Sequence, residues 1–241
     1  MVTVAMPVRD EADRYLGEVL EAAGRFADRM VVLDDGSSDD SVQLATALGA
    51  EVFSTPEPLF HQEWRLRTLL WQLATAGDPD WVILLDADEL IDPPGTWLRN
   101  TLAAVAAQGL GCVSLPLFDL WDDRSHYRDD RLWTAHRRLW PIAVRPLPGL
   151  DYRYAMRDHH AGRWPTYALP TLADHACTLD GARILHLGWL KRGDRERKYL
   201  RYRELDPEGR WGSQAQYDTI LDPAPHLSPI DISDLRSEVH A

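Results

Sequence analysis

Two carboxylates separated by a single residue close the run Trp81-Val-Ile-Leu-Leu85, giving Asp86-Ala87-Asp88-Glu89. Carboxylates that leave a buried strand together repel each other and lose hydration, so something must compensate them. A divalent cation does so, and Mg2+ or Mn2+ prefers oxygen ligands combined with substrate phosphates. The plainer alternative is that both residues cap the turn into the next element. Asp34-Asp35-Gly36-Ser37 admits two readings as well: a well-capped turn between strand and helix, or a carboxylate that accepts hydrogen bonds from a base or ribose. His186 lies in an apolar run, as a satisfied core histidine or as a nitrogen donor that completes a metal site. The group Arg157-Asp158-His159-His160 contains a candidate general base, or forms a polar network with Tyr152, Arg153, Tyr154 and Arg163. Between Lys191 and Arg203 basic residues alternate with acidic ones, as on a solvated helix face from which one or two cations could reach a diphosphate.

The elements that must position these residues alternate between strand and helix. Val2–Met6 is a short β-rich run, followed by Asp10 as an expected N-cap and a helical stripe of Tyr15, Leu16, Val19, Leu20 and Ala23. Met30–Leu33 predicts a second strand and Val42, Ala45 and Leu48 a second helix, with Ser37 or Ser38 capping it and Gly49 at its end. Strands are expected at Glu51–Ser54, Trp81–Leu85 and near Val113–Leu117, with helices at about 62–76 and 97–108. Such alternation predicts an α/β sandwich of three layers around a mostly parallel sheet. Ligands in these sheets bind beyond the carboxyl ends of the strands, so Pro7–Arg9, Asp34–Gly36 and Asp86–Asp88 should share one edge. Residues 118–180 have poor periodicity and read as irregular strands and loops of an acceptor region. Arg183–Trp189 returns to strand-like sequence, 194–205 reads as a charged helix, and 206–241 as a loop-rich tail.

The 241 residues are 45% hydrophobic and include 10 Trp, enough for one large domain with an appended tail. A formal net charge of −12 argues against a general nucleic-acid binder. Cys112 and Cys177 form no CxxC pair, which excludes a zinc ribbon or redox motif and fits a reducing cytosol. There is no signal-peptide pattern near Met1 and no apolar stretch of membrane-spanning length, so the expected location is the cytoplasm, or the inner membrane face as a peripheral protein.

Taken together, Val4-Ala-Met-Pro7-Val-Arg9-Asp-Glu11, Val32-Leu-Asp-Asp35-Gly-Ser-Ser-Asp39 and Leu84-Leu-Asp86-Ala-Asp88-Glu89 resemble the bacterial-type family 2 glycosyltransferases of the GT-A fold. The match in order and spacing covers roughly residues 1–117, and Leu185–Trp189 is similar to a late histidine segment of many members. The resemblance implies one domain over 1–205, with a nucleotide-sugar-binding half at 1–117 and an acceptor-binding, metal-completing half at 118–205. It implies a hexosyltransferase-type enzyme that uses a nucleotide-diphosphate sugar and Mn2+ or Mg2+. Pro7, Val8, Arg9 and Glu11 would line the base and ribose site, with Asp35 on the base. Asp86 would lie against the ribose or the metal, with Ala87 beside it in the donor site; Asp88 would be the main metal ligand, His186 would complete the metal site, and Arg65, with Arg67 on the same helix, would assist donor binding. The implied chemistry is one inverting displacement, in which a carboxylate deprotonates the acceptor hydroxyl. Asp119, Asp122, Asp123, Asp129, Asp130, Asp158 and Asp174 are candidates for that base; Asp158 is favoured and Asp130 is second.

A sugar nucleotidyltransferase would carry a Gly-rich basic loop after the first strand, where this chain has Pro7-Val-Arg-Asp10. A dehydrogenase or methyltransferase fails for want of G-x-G-x-x-G at that turn. A nucleotide-sugar-binding module that has lost catalysis is the remaining alternative. The acceptor (a glycan, lipid-linked intermediate, natural product or protein) is not encoded in these motifs.

Overall fold

The computed structural model describes residues 1–231. In chain order the elements are β1 (Val2–Val8), α1 (Leu16–Gly24), β2 (Arg29–Asp34), α2 (Ser41–Ala47), β3 (Glu51–Ser54), α3 (Glu63–Thr75), β4 (Trp81–Leu84), β5 (Glu89–Asp92) and α4 (Trp97–Ala107). There follow β6 (Cys112–Asp119), β7 (His126–Arg128), β8 (Leu139–Val144), α5 (Leu169–Ala173), β9 (Ala176–Cys177), β10 (Arg183–His186), α6 (Arg192–Leu205), α7 (Gln214–Tyr217) and β11 (Leu227–Pro229). The chain forms two compact units. The first is Met1–Asp88, Gly95–Ser114 and Pro141–Leu179; the second is Glu89–Pro94, Leu115–Trp140 and the described residues from Asp180 onward.

In the first unit, β3, β2, β1 and β4 lie side by side and parallel. β1, β2 and β4 are mainly apolar and largely buried, as strands covered on both faces require, whereas β3 (Glu51–Ser54) is a mostly exposed edge strand. β8 adds to β4 in the antiparallel sense, pairing Val82 with Val144 and Ile83 with Ala143. Val31, Leu33, Val82 and Leu84 pack with Leu66, Leu70, Trp71 and Ala74 of α3, and Cys112 lies in the same core, as its apolar surroundings imply. The parallel arrangement sends the carboxyl ends of β1, β2 and β4 to one edge, as the α/β reading requires.

Two expectations about local structure are corrected. Asp10 does not cap a helix: it has φ +53°, and its carboxylate accepts from the Ser38 amide at 2.7 Å. α1 begins only at Leu16, because the intervening residues are committed to that loop. Likewise α2 starts at Ser41 rather than directly after Ser37 or Ser38, with the Ser41 amide donating to Asp39 at 3.0 Å.

In the second unit, β10 runs parallel to β6 and antiparallel to β5. Its register sets His186 opposite Asp119 on one side and Glu89 on the other. Neither β5 nor β8 is among the strands expected from sequence. The tail is less irregular than its prolines imply: through residue 231 it contributes α7 and β11, and Tyr217 and Ile220 pack against Trp121, Trp133 and Trp189. The remainder of that tail lies outside the described residues. Among the described residues no helix is long and apolar enough to cross a membrane.

Candidate active site

At the carboxyl edge of the first unit, the loops after β1 and β2 fasten to each other. The amides of Asp10, Glu11 and Ala12 donate to Ser37 Oγ (3.0 Å), Ser41 Oγ (2.8 Å) and Asp39 Oδ2 (3.0 Å). Burial pushes the Asp39 carboxyl up, but hydrogen bonds from Ser41 and the Ala12 backbone outweigh it and hold Asp39 below the usual carboxylate range. Gly36 makes the turn possible with φ +80°, and a Cβ there would meet Pro58 at 3.4 Å. Pro7, Val8, Arg9 and Glu11 therefore line a braced edge, and Arg9 stands 3.9 Å from Asp35.

Asp35 is fully buried, and both its oxygens are engaged. It accepts from Thr55 Oγ1 at 2.9 Å, the Leu59 amide at 2.7 Å and the Phe60 amide at 2.8 Å. The residue expected on the base thus holds the 55–60 loop that leads into α3. Sequence reading did not foresee this, because the acceptor lies in Asp35 and the donors more than 19 residues away in a loop without periodicity.

The two arginines of α3 separate. Residues two apart on a helix face in different directions. Arg65 is exposed and pairs with Gln62 at 2.8 Å and Glu57 at 3.7 Å. Arg67 is buried, bonded to Glu63 at 3.2 Å and to Asp86 Oδ1 at 2.9 Å, while its Nη1 is buried without a hydrogen-bond partner. Burial disfavours the charged guanidinium, but Asp86 and Glu63 outweigh it and raise its proton affinity. For Asp86 burial likewise opposes ionisation; Arg67 and Arg163 overcome that and the repulsion from Asp88, so its pKa falls below the usual value. Ala87 and Asp88 beside it are buried.

The same helix gathers the segment that carries Asp158. The Glu63 amide donates to the Asp158 carbonyl at 2.9 Å and the Trp64 amide to the Arg157 carbonyl at 3.3 Å. Glu63 Oε2 accepts from the Ala161 amide at 3.1 Å. Asp158, Glu63, Arg67 and Asp86 therefore belong to one connected neighbourhood, and Tyr154 sits against Arg67 with its hydroxyl pushed to a raised pKa chiefly by burial. The Asp158 carboxylate is half-buried and takes no hydrogen bond or ion pair from the other described residues. Asp130 differs sharply. It accepts from Arg128 Nε at 2.7 Å and from the Leu132 and Trp133 amides at 2.9 and 3.2 Å. Burial raises its pKa, yet these donors outweigh burial and leave it below the usual range, a poor setting for a base.

In the second unit His186 is engaged at both ring nitrogens. Nδ1 lies 2.8 Å from Asp119 Oδ1, Nε2 lies 3.1 Å from the Lys198 ammonium, and the Trp189 indole nitrogen is 3.1 Å from Nδ1. An ammonium and an indole N–H have only protons to give and a carboxylate only lone pairs, so the tautomer serving Asp119 and Lys198 carries its proton on Nδ1 and does not also accept from the Trp189 indole. The chemistry of the donor set therefore splits on the cation implied by family resemblance. Asp88 fits as a hard oxygen ligand, whereas His186 does not fit as a nitrogen ligand while Lys198 holds its lone pair. Among the described residues no three or more His, Cys, Asp or Glu side chains are gathered to hold a metal ion.

Comparison with known proteins follows the same boundaries. An uncharacterized Mycobacterium tuberculosis protein is 29% identical over 232 residues, covering 92% of this chain and 54% of the relative. The chain thus spans about half the length of the curated relatives it matches. The glucosyl-3-phosphoglycerate synthase of Mycolicibacterium paratuberculosis is 34% identical over 100 residues, 38% of this chain and 29% of that protein. The crystal structure of S. aureus TarS residues 1–349 in complex with UDP-GlcNAc has a TM-score of 0.58 at 16% identity, covering 91% of this chain and 70% of that one, a likeness of fold. The family described as Glycosyl transferase family 2 matches residues 3–160, from β1 through the loop that carries Asp158. With the braced edge, the Asp86-Ala-Asp88 turn and this match in agreement, the chain belongs to glycosyl transferase family 2.

Proposed function

We propose that the chain transfers a sugar from a nucleotide-diphosphate sugar to an acceptor hydroxyl by a single inverting displacement. The observation that carries this reading is the Glu63–Arg67–Asp86 network, which ties the Asp-x-Asp turn to the loop of Asp158 while that carboxylate remains without a partner. Pro7, Val8, Arg9 and Glu11 line the nucleoside, and Asp35 serves it through the loop it holds. Asp86 and Ala87 flank the donor. Arg67, rather than the outward Arg65, fixes Asp86, and its unused Nη1 proton suits a donor oxygen.

In the displacement the acceptor oxygen forms a bond to the anomeric carbon as the bond to the diphosphate breaks. Asp158 takes the hydroxyl proton, and the electron pair departs with the diphosphate. Asp88 would hold a divalent cation, Mn2+ or Mg2+, whose chemistry when bound is Lewis-acid neutralisation of the diphosphate. UDP-GlcNAc, present in the TarS complex, heads the donors to test.

Calorimetry with UDP-, GDP- and dTDP-sugars, with and without Mn2+, tests the donor assignment. One donor should bind more tightly with Mn2+, and Asp88→Asn should remove that gain without changing the melting temperature. An unchanged gain in the variant would overturn Asp88 as ligand. Binding without any Mn2+-supported donor hydrolysis would favour a module that has lost catalysis.

A further inference from the structure

Helix α3 begins without a side-chain cap, so its first amides need acceptors from elsewhere. They find them in one segment: the Glu63 amide donates to the Asp158 carbonyl at 2.9 Å and the Trp64 amide to the Arg157 carbonyl at 3.3 Å. An acidic residue in the first turn ordinarily serves the helix's own N-terminus. The Glu63 side chain is 18% exposed and serves other groups instead. Its Oε1 accepts from Arg67 Nε at 3.2 Å and its Oε2 from the Ala161 amide at 3.1 Å. One residue therefore holds the chain on both sides of His159 and His160, by the carbonyl before them and the amide after. Between those two points His160 has φ +52°, a left-handed backbone that a residue with a Cβ keeps only where its surroundings impose it. Further out, the Tyr154 hydroxyl donates to the Arg163 carbonyl at 2.9 Å and closes the loop at its base. All of these residues belong to the first unit.

We propose that Glu63 is the positioning residue for Asp158: its carboxylate, aimed by Arg67, imposes the 158–161 turn and so fixes the direction of the base. This rests on the transferase reading above, with Asp158 as base, and adds the group that makes that base effective. A base works only within hydrogen-bond reach of its proton, and a displacement of about 1 Å can cost about 10²-fold in turnover. Glu63 grips the turn through backbone groups, which leaves the Asp158 carboxylate to the acceptor. Arg67 bonds Glu63 Oε1 through Nε and Asp86 Oδ1 through Nη2, so the carboxylate that clamps the turn and the first carboxylate of Asp86-Ala-Asp88 share one guanidinium. Loss of the Glu63 side chain should leave donor affinity nearly intact, because Arg67 keeps Asp86, while the chemical step suffers.

The test is a double-mutant cycle on Mn2+-supported hydrolysis of UDP-GlcNAc, or of the GDP- or dTDP-sugar that the wild-type chain binds, with water standing for the acceptor. Donor affinity is measured by calorimetry on the same proteins. Glu63→Ala should lower kcat by about 10²-fold and change the donor Kd by less than about twofold. Glu63→Gln, which keeps an oxygen for the Ala161 amide, should recover most of that loss. In an Asp158→Asn background Glu63→Ala should have little further effect, because a positioning residue acts only through the group it aims. A loss that multiplies with that of Asp158→Asn, or an unchanged kcat in Glu63→Ala, would overturn the proposal, as would a fall in donor affinity as large as the fall in kcat. If Glu63→Ala does not fold, hydrogen exchange of the Ala161 amide in the wild-type chain decides: strong protection supports the clamp, and exchange at the rate of an open loop overturns it. Undiminished hydrolysis in Asp158→Asn alone would instead overturn Asp158 as base. No hydrolysis of any of these donors by wild type would overturn the transferase reading itself.

Discussion

Arg67 is the residue on which the edge of the first unit turns, because it links α3 to Asp86 while itself out of solvent. Replacing it with Met removes from Glu63 and Asp86 the guanidinium that bonds both. Asp86 is half-exposed, so solvent screening limits the loss at neutral pH to on the order of 1 kcal/mol. The sign with pH follows from the lowered Asp86 pKa. Its ionised form contributes stability above the ordinary carboxylate value of about 4, and the contribution drains as pH falls through the lower folded value. Denaturant titrations at pH 7 and pH 3 should show the Arg67→Met deficit shrinking in acid; an equal deficit at both would contradict the pairing. The two candidate bases should separate equally clearly. Asp158→Asn should lower turnover by about 10²–10⁴ with little change in donor affinity. Asp130→Asn should cost stability, since Asp130 holds Arg128, and a turnover defect confined to Asp130→Asn would reverse the assignment.

Elements differ in how far their own residues declare them. β1, β2 and β4 are mainly apolar or β-branched runs, β3 is a short edge strand bounded by Ala50 and Thr55, and α3 carries its stripe over three turns, so each is readable in place. β5 consists of four residues bounded by Glu89 and Asp92, and β8 contains Pro141, which lacks an amide to give. Both exist because an antiparallel partner supplies their pairing, information that lies elsewhere in the chain. The site follows the same division. Pro7–Glu11 and Asp86–Asp88 are adjacent in sequence and were legible, and Glu63–Arg67 is a helix i,i+4 pair that spacing allows. Asp119 meets His186 only through strand register across 67 residues, which no local pattern contains. The tail is an element of the second unit in its own right: Tyr217 and Ile220 complete the tryptophan cluster, and Thr219 accepts from buried Arg128 at 2.7 Å. Truncation after Leu205 should therefore lower the melting temperature by several degrees, as loss of two buried side chains and a carbonyl partner implies. A melting curve unchanged from the full chain would contradict that packing.

For the whole molecule the formal net charge is −12, and three of the buried cations each have a defined setting: Arg67 beside Asp86, Arg128 between Trp121 and Trp133, and Lys198 on His186. The family assignment covers the donor edge and the loop of the proposed base, so the central claim is that these parts together perform an inverting transfer. The most direct measurement is proton NMR of an α-linked nucleotide sugar, chosen by the binding screen, incubated with Mn2+ and the chain. The expected result is release of the nucleoside diphosphate with the sugar appearing first in the β configuration, abolished by Asp158→Asn while donor binding persists. A first-formed α product, or release undiminished in Asp158→Asn, would contradict it.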